Sequence, residues 1–255
     1  MKMAVIGCGL IGGSMALSWK RAGIVDEVIA FGHNPATLQK ALDKGAADTV
    51  TTSMEEAVKD ADIVVSAVPV EAMESVFTEM APFLKSDAVV TDVGSTRQTV
   101  IAAARKGLGD KFHQYAPAHP IAGGEMPGVD YASADLFDEK VVISTPDEGM
   151  DPKVVTFIEE AWRKAGARVQ AMSPLQHDLT FASVSHLPHV LAYALVDMIA
   201  REENAQEKLK MAGAGFRDFT RIASSSPVMW RDICLSNREA LSHELKRYRA
   251  SLDTL

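Results

Sequence analysis

In Ala118-His119-Pro120-Ile121-Ala122-Gly123-Gly124-Glu125 a histidine stands between an apolar run and a small-residue loop. A neutral imidazole that titrates near working pH is suited to accept the proton of an alcohol, a step that removal of hydride from the alcohol carbon requires. His119 is a candidate for that role, although a lone histidine is more often structural. Asp92-Val93-Gly94-Ser95-Thr96 offers two hydroxyls at the end of another apolar run. Either can cap the helix that follows, and capping is the plainer role for Thr96. Ser185-His186-Leu187-Pro188-His189 puts two histidines inside the apolar run LTFASVSHLPHVLAYALVDMIA. At this spacing both fall on one helical face. Pro188 removes a helical donor and tends to kink the helix, which leaves polar groups available to a ligand. A metal would need further ligands, and no carboxylate follows at ligand spacing, so no metal site is assigned. Core histidines with satisfied hydrogen bonds are the plain alternative.

The elements that must position these groups alternate. Residues 2–7 form a short apolar run, Leu10–Arg21 reads as a helix stopped by Gly23, and Glu27–Phe31 reads as a second strand. Asn34 and Pro35 read as an N-cap followed by proline at the first helical position. Further strands are expected at 62–68, 88–92, 114–118, 140–144 and 167–172, with helices at 71–84, 96–106 and 152–165. Such alternation implies an α/β fold whose parallel sheet is covered on both faces. After Ser173-Pro174 only helical periodicity remains, broken by Gly213-Ala214-Gly215 and Ser224-Ser225-Ser226-Pro227. The expected division is an N-terminal Rossmann-type domain over 1–173 and an all-α domain over 174–255.

Gly7-Cys8-Gly9-Leu10-Ile11-Gly12 gives that first domain a task. The pattern GxGxxG is weak alone, but here it follows a strand, opens a helix and precedes a second strand at the right distance. Gly7 allows the tight turn, Gly9 lets a pyrophosphate approach the backbone, and Gly12 lets helix and strand pack closely. The amides at Leu10 and Ile11 open the helix whose N-terminus holds the phosphates. Val68 and Pro69, at the end of another strand, would border the same dinucleotide. An NAD site usually carries a carboxylate at the end of the second strand to bond the ribose 2′-hydroxyl. The sequence there is Ala30-Phe31-Gly32-His33-Asn34-Pro35, with none. Gly32 leaves room for a 2′-phosphate to which His33 and Asn34 could donate, although no arginine stands nearby. This favours NADP, with NAD use at relaxed specificity as the alternative.

Composition narrows the class. A formal net charge of −8 argues against nonspecific nucleic-acid binding, which needs a basic face. The two cysteines, Cys8 and Cys234, form neither a disulfide framework nor a metal spacing, which suits a reducing cytoplasm. The N-terminus runs straight into a strand without signal-peptide architecture, and no charge-free span of about 20 residues is expected. The expectation is a cytoplasmic protein with no membrane partner.

Five motifs occur in order: GCGLIGGS at 7–14, DVGST at 92–96, HPIAGGE at 119–125, SHLPH at 185–189 and GFRDFTRIASSSPVMWRDI at 215–233. Together they resemble the prephenate/arogenate dehydrogenase family of tyrosine biosynthesis, over nearly the whole chain. The resemblance implies oxidative decarboxylation of prephenate or arogenate with hydride transfer to NAD(P)⁺, in a homodimer formed through the helical domain. It implies that His119 accepts a hydrogen bond or proton from the ring hydroxyl and that Ser95 bonds the same hydroxyl near the nicotinamide. Arg221 would bind the ring carboxylate, the planar bidentate task that arginine performs better than lysine. His186, His189 and Trp230 would line the substrate pocket, with Glu125 and Asp218 at its entrance. Arg97 stands where lysine is common in this loop, a change expected to matter little. Two rivals remain: another two-domain Rossmann dehydrogenase acting on a small hydroxy acid or imine, and a non-enzymatic NADP-sensing protein.

Overall fold

The runs KMAVI, EVIAF, IVVS and VVTD are apolar at nearly every position, and almost all of their residues are buried. Strands of this kind need cover on both faces, which crossover helices provide. The computed structural model describes residues 1–124 and 126–255. In it the runs belong to a six-stranded sheet made of β1 (Lys2–Ile6), β2 (Glu27–Phe31), β3 (Thr49–Thr51), β4 (Ile63–Ser66), β5 (Val89–Asp92) and β6 (Tyr115–Ala116). The spatial order is β3-β2-β1-β4-β5-β6 and every pair is parallel. The crossovers carry α1 (Leu10–Arg21), α2 (Pro35–Asp43), α3 (Met54–Val58), α4 (Met73–Met80) and α5 (Gln98–Leu108). Asn34 caps α2 by accepting from the amides of Ala36 and Thr37, with Pro35 as the first helical residue. The strand order reverses between β1 and β4, which opens a crevice beyond their carboxyl ends.

The alternation predicts that strands near 140 and 167 extend this sheet. They do not. After Ala116 the chain passes through Pro117, which has no amide hydrogen to donate, and starts a second, three-stranded sheet. It contains β7 (Ala118–Pro120), β8 (Val141–Ser144) and β9 (Arg168–Ala171), with β7 antiparallel to β8 and β8 parallel to β9. The expected strand over 114–118 is therefore two strands in two sheets. Between β8 and β9 lies α6 (Pro152–Lys164), capped by Asp151. Its Trp162 meets Trp19 of α1 and Phe137 edge to face, with centroids 5.6 and 5.0 Å apart. These contacts fasten the second sheet's helix to the first helix of the nucleotide half.

The chain divides into two compact units, Met1–His177 and Asp178–Leu255. The second is helical throughout. It contains the end of α7 (Pro174–Phe181), then α8 (Leu187–Ala200), α9 (Ala205–Lys210), α10 (Ala214–Thr220), α11 (Pro227–Ser236) and α12 (Arg238–Leu252). Residues Ala182–His186 form a π-helical turn immediately before Pro188, inside the helical stretch that runs on into α8, so the lost backbone bond coincides with a local widening of the helix.

The expectation of no long apolar span needs correction. Residues 179–196 carry no Asp, Glu, Lys or Arg. The continuous helical stretch Pro174–Ala200 is long and apolar enough to cross a membrane by length and composition, and only 22% of its most apolar window is buried. Val184, Met198, Val228, Met229 and Leu235 of this unit are all exposed.

Candidate active site

The glycine turn has the geometry of a dinucleotide cradle. Gly7 has φ +92°, and a Cβ there would lie 2.7 Å from the carbonyl oxygen of Ala67. A Cβ at Gly12 would lie 2.5 Å from the Gly7 oxygen and 3.0 Å from Val5, so α1 can rest on β1 only without one. Around Gly9, in contrast, a Cβ would meet nothing within 4 Å. The N-terminus of α1 receives no side-chain cap, which leaves the amides at Leu10 and Ile11 to an anion. Val68 packs against Gly7, and exposed Pro69 follows it, so the end of β4 borders the turn as expected. Burial pushes the Cys8 thiol up to about 11, which keeps it protonated beside the cradle. At the end of β2, Gly32 is followed by exposed His33, whose ring meets Phe31 edge to face at 5.3 Å. Asn34 spends its carbonyl oxygen on the α2 cap, which turns its role toward the amide nitrogen as a donor. Beside them a cleft of about 410 Å³ is lined by Pro35, Leu38, Gln39, Val50, Thr51 and Thr52.

Ser95 and His119 sit on two segments that one buried side chain ties together. Asp92 and Arg97 form an ion pair at 2.9 Å, both wholly buried. Arg97 donates to both carboxylate oxygens of Asp92, to the carbonyl of Gly94 at 3.0 Å, and to the carbonyl of Ala118 at 3.0 Å. Tyr115 donates its hydroxyl to Asp92 at 2.6 Å, and Thr91 donates to the Ala116 carbonyl at 2.7 Å. The loop bearing Ser95 and the strand bearing His119 are thus clamped at the residues beside each. No local pattern signals this, because only the fold brings Ala118 to Arg97. A planar guanidinium can serve four acceptor atoms in fixed directions, whereas a lysine ammonium has three donors on one atom. Arg97 therefore carries more than the sequence reading allowed it.

His119 lies in the middle of β7, half-buried, with its backbone paired to Ile143. Its Nδ1 is 2.8 Å from Nε2 of His177, which is wholly buried in the first turns of α7. Sequence reasoning missed His177. Ser173-Pro174 signals a helix start, but nothing in Leu175-Gln176-His177 names a partner for the third residue.

In the second unit the two histidines of SHLPH are fixed differently. Asn237 donates its amide to the carbonyl of Asp178 at 2.7 Å, which settles which end of its side chain is nitrogen. The same nitrogen lies 3.1 Å from Nδ1 of buried His186, so that ring atom must accept and the neutral ring carries its hydrogen on Nε2. His189 is the reverse. Its Nδ1 faces the carbonyl of Ser185 at 2.9 Å and must donate, which leaves Nε2 as the acceptor. Burial first, and the charge of Arg221 after it, hold the His189 pKa below its ordinary value of 6.5. His189 stacks on Trp230 with centroids 3.5 Å apart, and His186 meets the same ring edge-on at 6.1 Å. The Trp230 indole N–H is buried and has no hydrogen-bond partner among the described residues. Arg221 lies at the exposed end of α10, and Asp218 is exposed on that helix. Glu125 lies outside the described residues.

Two family models cover nearly all of this chain. Residues 15–171 match the nucleotide-binding domain of prephenate dehydrogenase, and residues 173–255 match its dimerization domain. The chain belongs to the prephenate dehydrogenase family. Cyclohexadienyl dehydrogenase of Zymomonas mobilis is 37% identical over 255 residues, spanning 99% of this chain and 86% of that one. Prephenate dehydrogenase of Bacillus subtilis is 35% identical, spanning 98% and 67%. The crystal structure of prephenate dehydrogenase from A. aeolicus, in complex with hydroxyphenyl propionate and NAD⁺, superposes with a TM-score of 0.93 at 36% identity, covering 100% of this chain and 89% of that one. This family member is a dehydrogenase that uses a nicotinamide dinucleotide.

Proposed function

We propose that the chain oxidatively decarboxylates prephenate or arogenate in tyrosine biosynthesis, giving 4-hydroxyphenylpyruvate or tyrosine. The observation that carries this reading is the match, over residues 15–171 and 173–255, to both domains of one dehydrogenase family. The dinucleotide would be held by Gly7, Gly9, Leu10, Ile11 and Gly12, bordered by Val68, Pro69 and Ser95. When bound, its oxidised nicotinamide supplies the hydride acceptor. His119 takes the proton of the ring hydroxyl, and Ser95 fixes that hydroxyl. Arg221 holds the ring carboxylate until it leaves as CO₂. Formation of an aromatic ring drives the reaction, so these residues mainly orient and polarise. His186, buried and edge-on to Trp230, backs the substrate wall, and His189 offers it an acceptor. The unpaired indole N–H of Trp230 supports its place there, since a buried donor without a partner costs about 1–3 kcal/mol that a ligand oxygen would recover. Asp218 stands at the entrance or orders it.

At the adenosine end, the absence of a carboxylate after β2 and the donors on His33 and Asn34 favour NADP, with Gly32 giving space for the 2′-phosphate. The division of labour falls near residue 173, and the helical part forms a homodimer. The test is the absorbance of reduced nicotinamide with purified enzyme, using prephenate or arogenate against NAD⁺ or NADP⁺. Turnover is expected with at least one substrate, faster with NADP⁺. No turnover in any combination, with dinucleotide still bound, would contradict the reading; preference for NAD⁺ would overturn only the role of Gly32.

A further inference from the structure

The pair His119–His177 holds more than a contact. Two neutral imidazole nitrogens 2.8 Å apart share one hydrogen, so one ring donates and the other accepts. If His177 donated from Nε2, His119 would accept at Nδ1 and carry its own hydrogen on Nε2. A ring in that state has no lone pair left for a substrate proton. If His119 donates from Nδ1, its Nε2 holds the lone pair. Resting on the role of His119 proposed above, we infer that His177 is a positioning residue that accepts from His119 Nδ1 and so keeps the basic lone pair on Nε2.

The local structure is built to keep His177 in place. The Ser173 hydroxyl accepts from the amide of Gln176 at 3.2 Å, and its carbonyl accepts from the amide of His177 at 2.9 Å. These bonds fix the first turn of α7. The His177 ring is wholly buried, so water does not compete for its Nε2. On the other side, β7 is held by the Arg97 bond to Ala118 and by its pairing with β8. Both rings therefore have little freedom to turn. When the hydroxyl proton arrives at Nε2, His119 becomes an imidazolium, and its Nδ1–H bond to His177 becomes charge-assisted and stronger. The arrangement does for this base what a carboxylate does behind other catalytic histidines: it fixes the tautomer and the direction of the ring.

The test begins with the intact enzyme. Nitrogen-15 NMR of histidine-labelled protein, with the His119 signals assigned through His119→Asn, is expected to show hydrogen on Nδ1 and an unprotonated Nε2. Hydrogen on Nε2 would overturn the inference. In parallel, His177→Leu removes the acceptor, and His177→Gln returns one at a similar reach. The leucine variant is expected to lose about 10²-fold in kcat with the KM for dinucleotide unchanged, which is the low end of a general base's contribution. The glutamine variant is expected to recover most of that loss. Equal loss in both variants with the His119 tautomer unchanged, or near-normal kcat in the leucine variant, would show that His177 only fills space. Full activity in His119→Asn would instead remove the base role itself, a separate failure.

Discussion

A buried charge is informative at the scale of a single residue, because it persists only where its surroundings satisfy it. Arg97 is the clearest case, wholly buried and bonded to Asp92 and to two backbone carbonyls. Arg97→Met should cost about 3–5 kcal/mol of stability, since it leaves the Asp92 carboxylate buried without its partner. Chemical denaturation would show this as a lower midpoint, and a loss below about 1 kcal/mol would mean that Asp92 is neutral or rehydrated. His189 gives a pH dependence whose sign follows from its lowered pKa. As pH falls, the unfolded chain takes up this proton before the folded one does. The contribution is therefore complete above about pH 6.5 and lost as pH drops through the lower folded value. His189→Phe, which keeps an aromatic ring on Trp230, should flatten the fall in melting temperature between about pH 7 and about pH 5. An unchanged slope would show that other groups set it. His119 and Ser95 were legible as candidates because each follows an apolar run. His177 and Asn237 were not, because their partners lie far away in sequence: 58 residues for His177 and His119, and 51 for Asn237 and His186. Arg97 stands five residues from Asp92, but its bond to Ala118 spans 21.

At the scale of elements, what could be read was what depends on local pattern. The strands of the nucleotide half are short apolar runs, Asn34-Pro35 is a cap, and the glycine turn joins a strand to a helix; all stand where local sequence places them. What failed depended on pairing. A run such as Val141–Ser144 has the same composition whether it joins a parallel or a mixed sheet, and only its partners decide. The break at Pro117 was present in the sequence as a residue that cannot donate, yet its effect, splitting one strand between two sheets, needed the three-dimensional context. Pro188 shows the same limit. Its missing donor was legible, but the π-helical turn that precedes it was not.

At the scale of the whole molecule, the two-part organisation was legible from the loss of strand patterning after residue 173, and the helical content of the second part follows from it. The exposed apolar residues of that part were not, because a helix turned toward a partner chain has the same composition as one turned toward a core. Val184 is 67% exposed and Leu235 57%. Light scattering should give twice the chain mass, and Val184→Glu with Leu235→Glu should shift the protein toward monomer. A wild-type monomer at micromolar concentration would contradict the dimer. The proposed reaction differs from that of an ordinary alcohol dehydrogenase in one product. The decisive measurement is CO₂ released against reduced nicotinamide formed, on the same sample, for the wild type and His119→Asn. One CO₂ is expected for each reduced nicotinamide, with both falling together by about 10²–10⁴-fold in the variant. Reduced nicotinamide formed without CO₂ would contradict it.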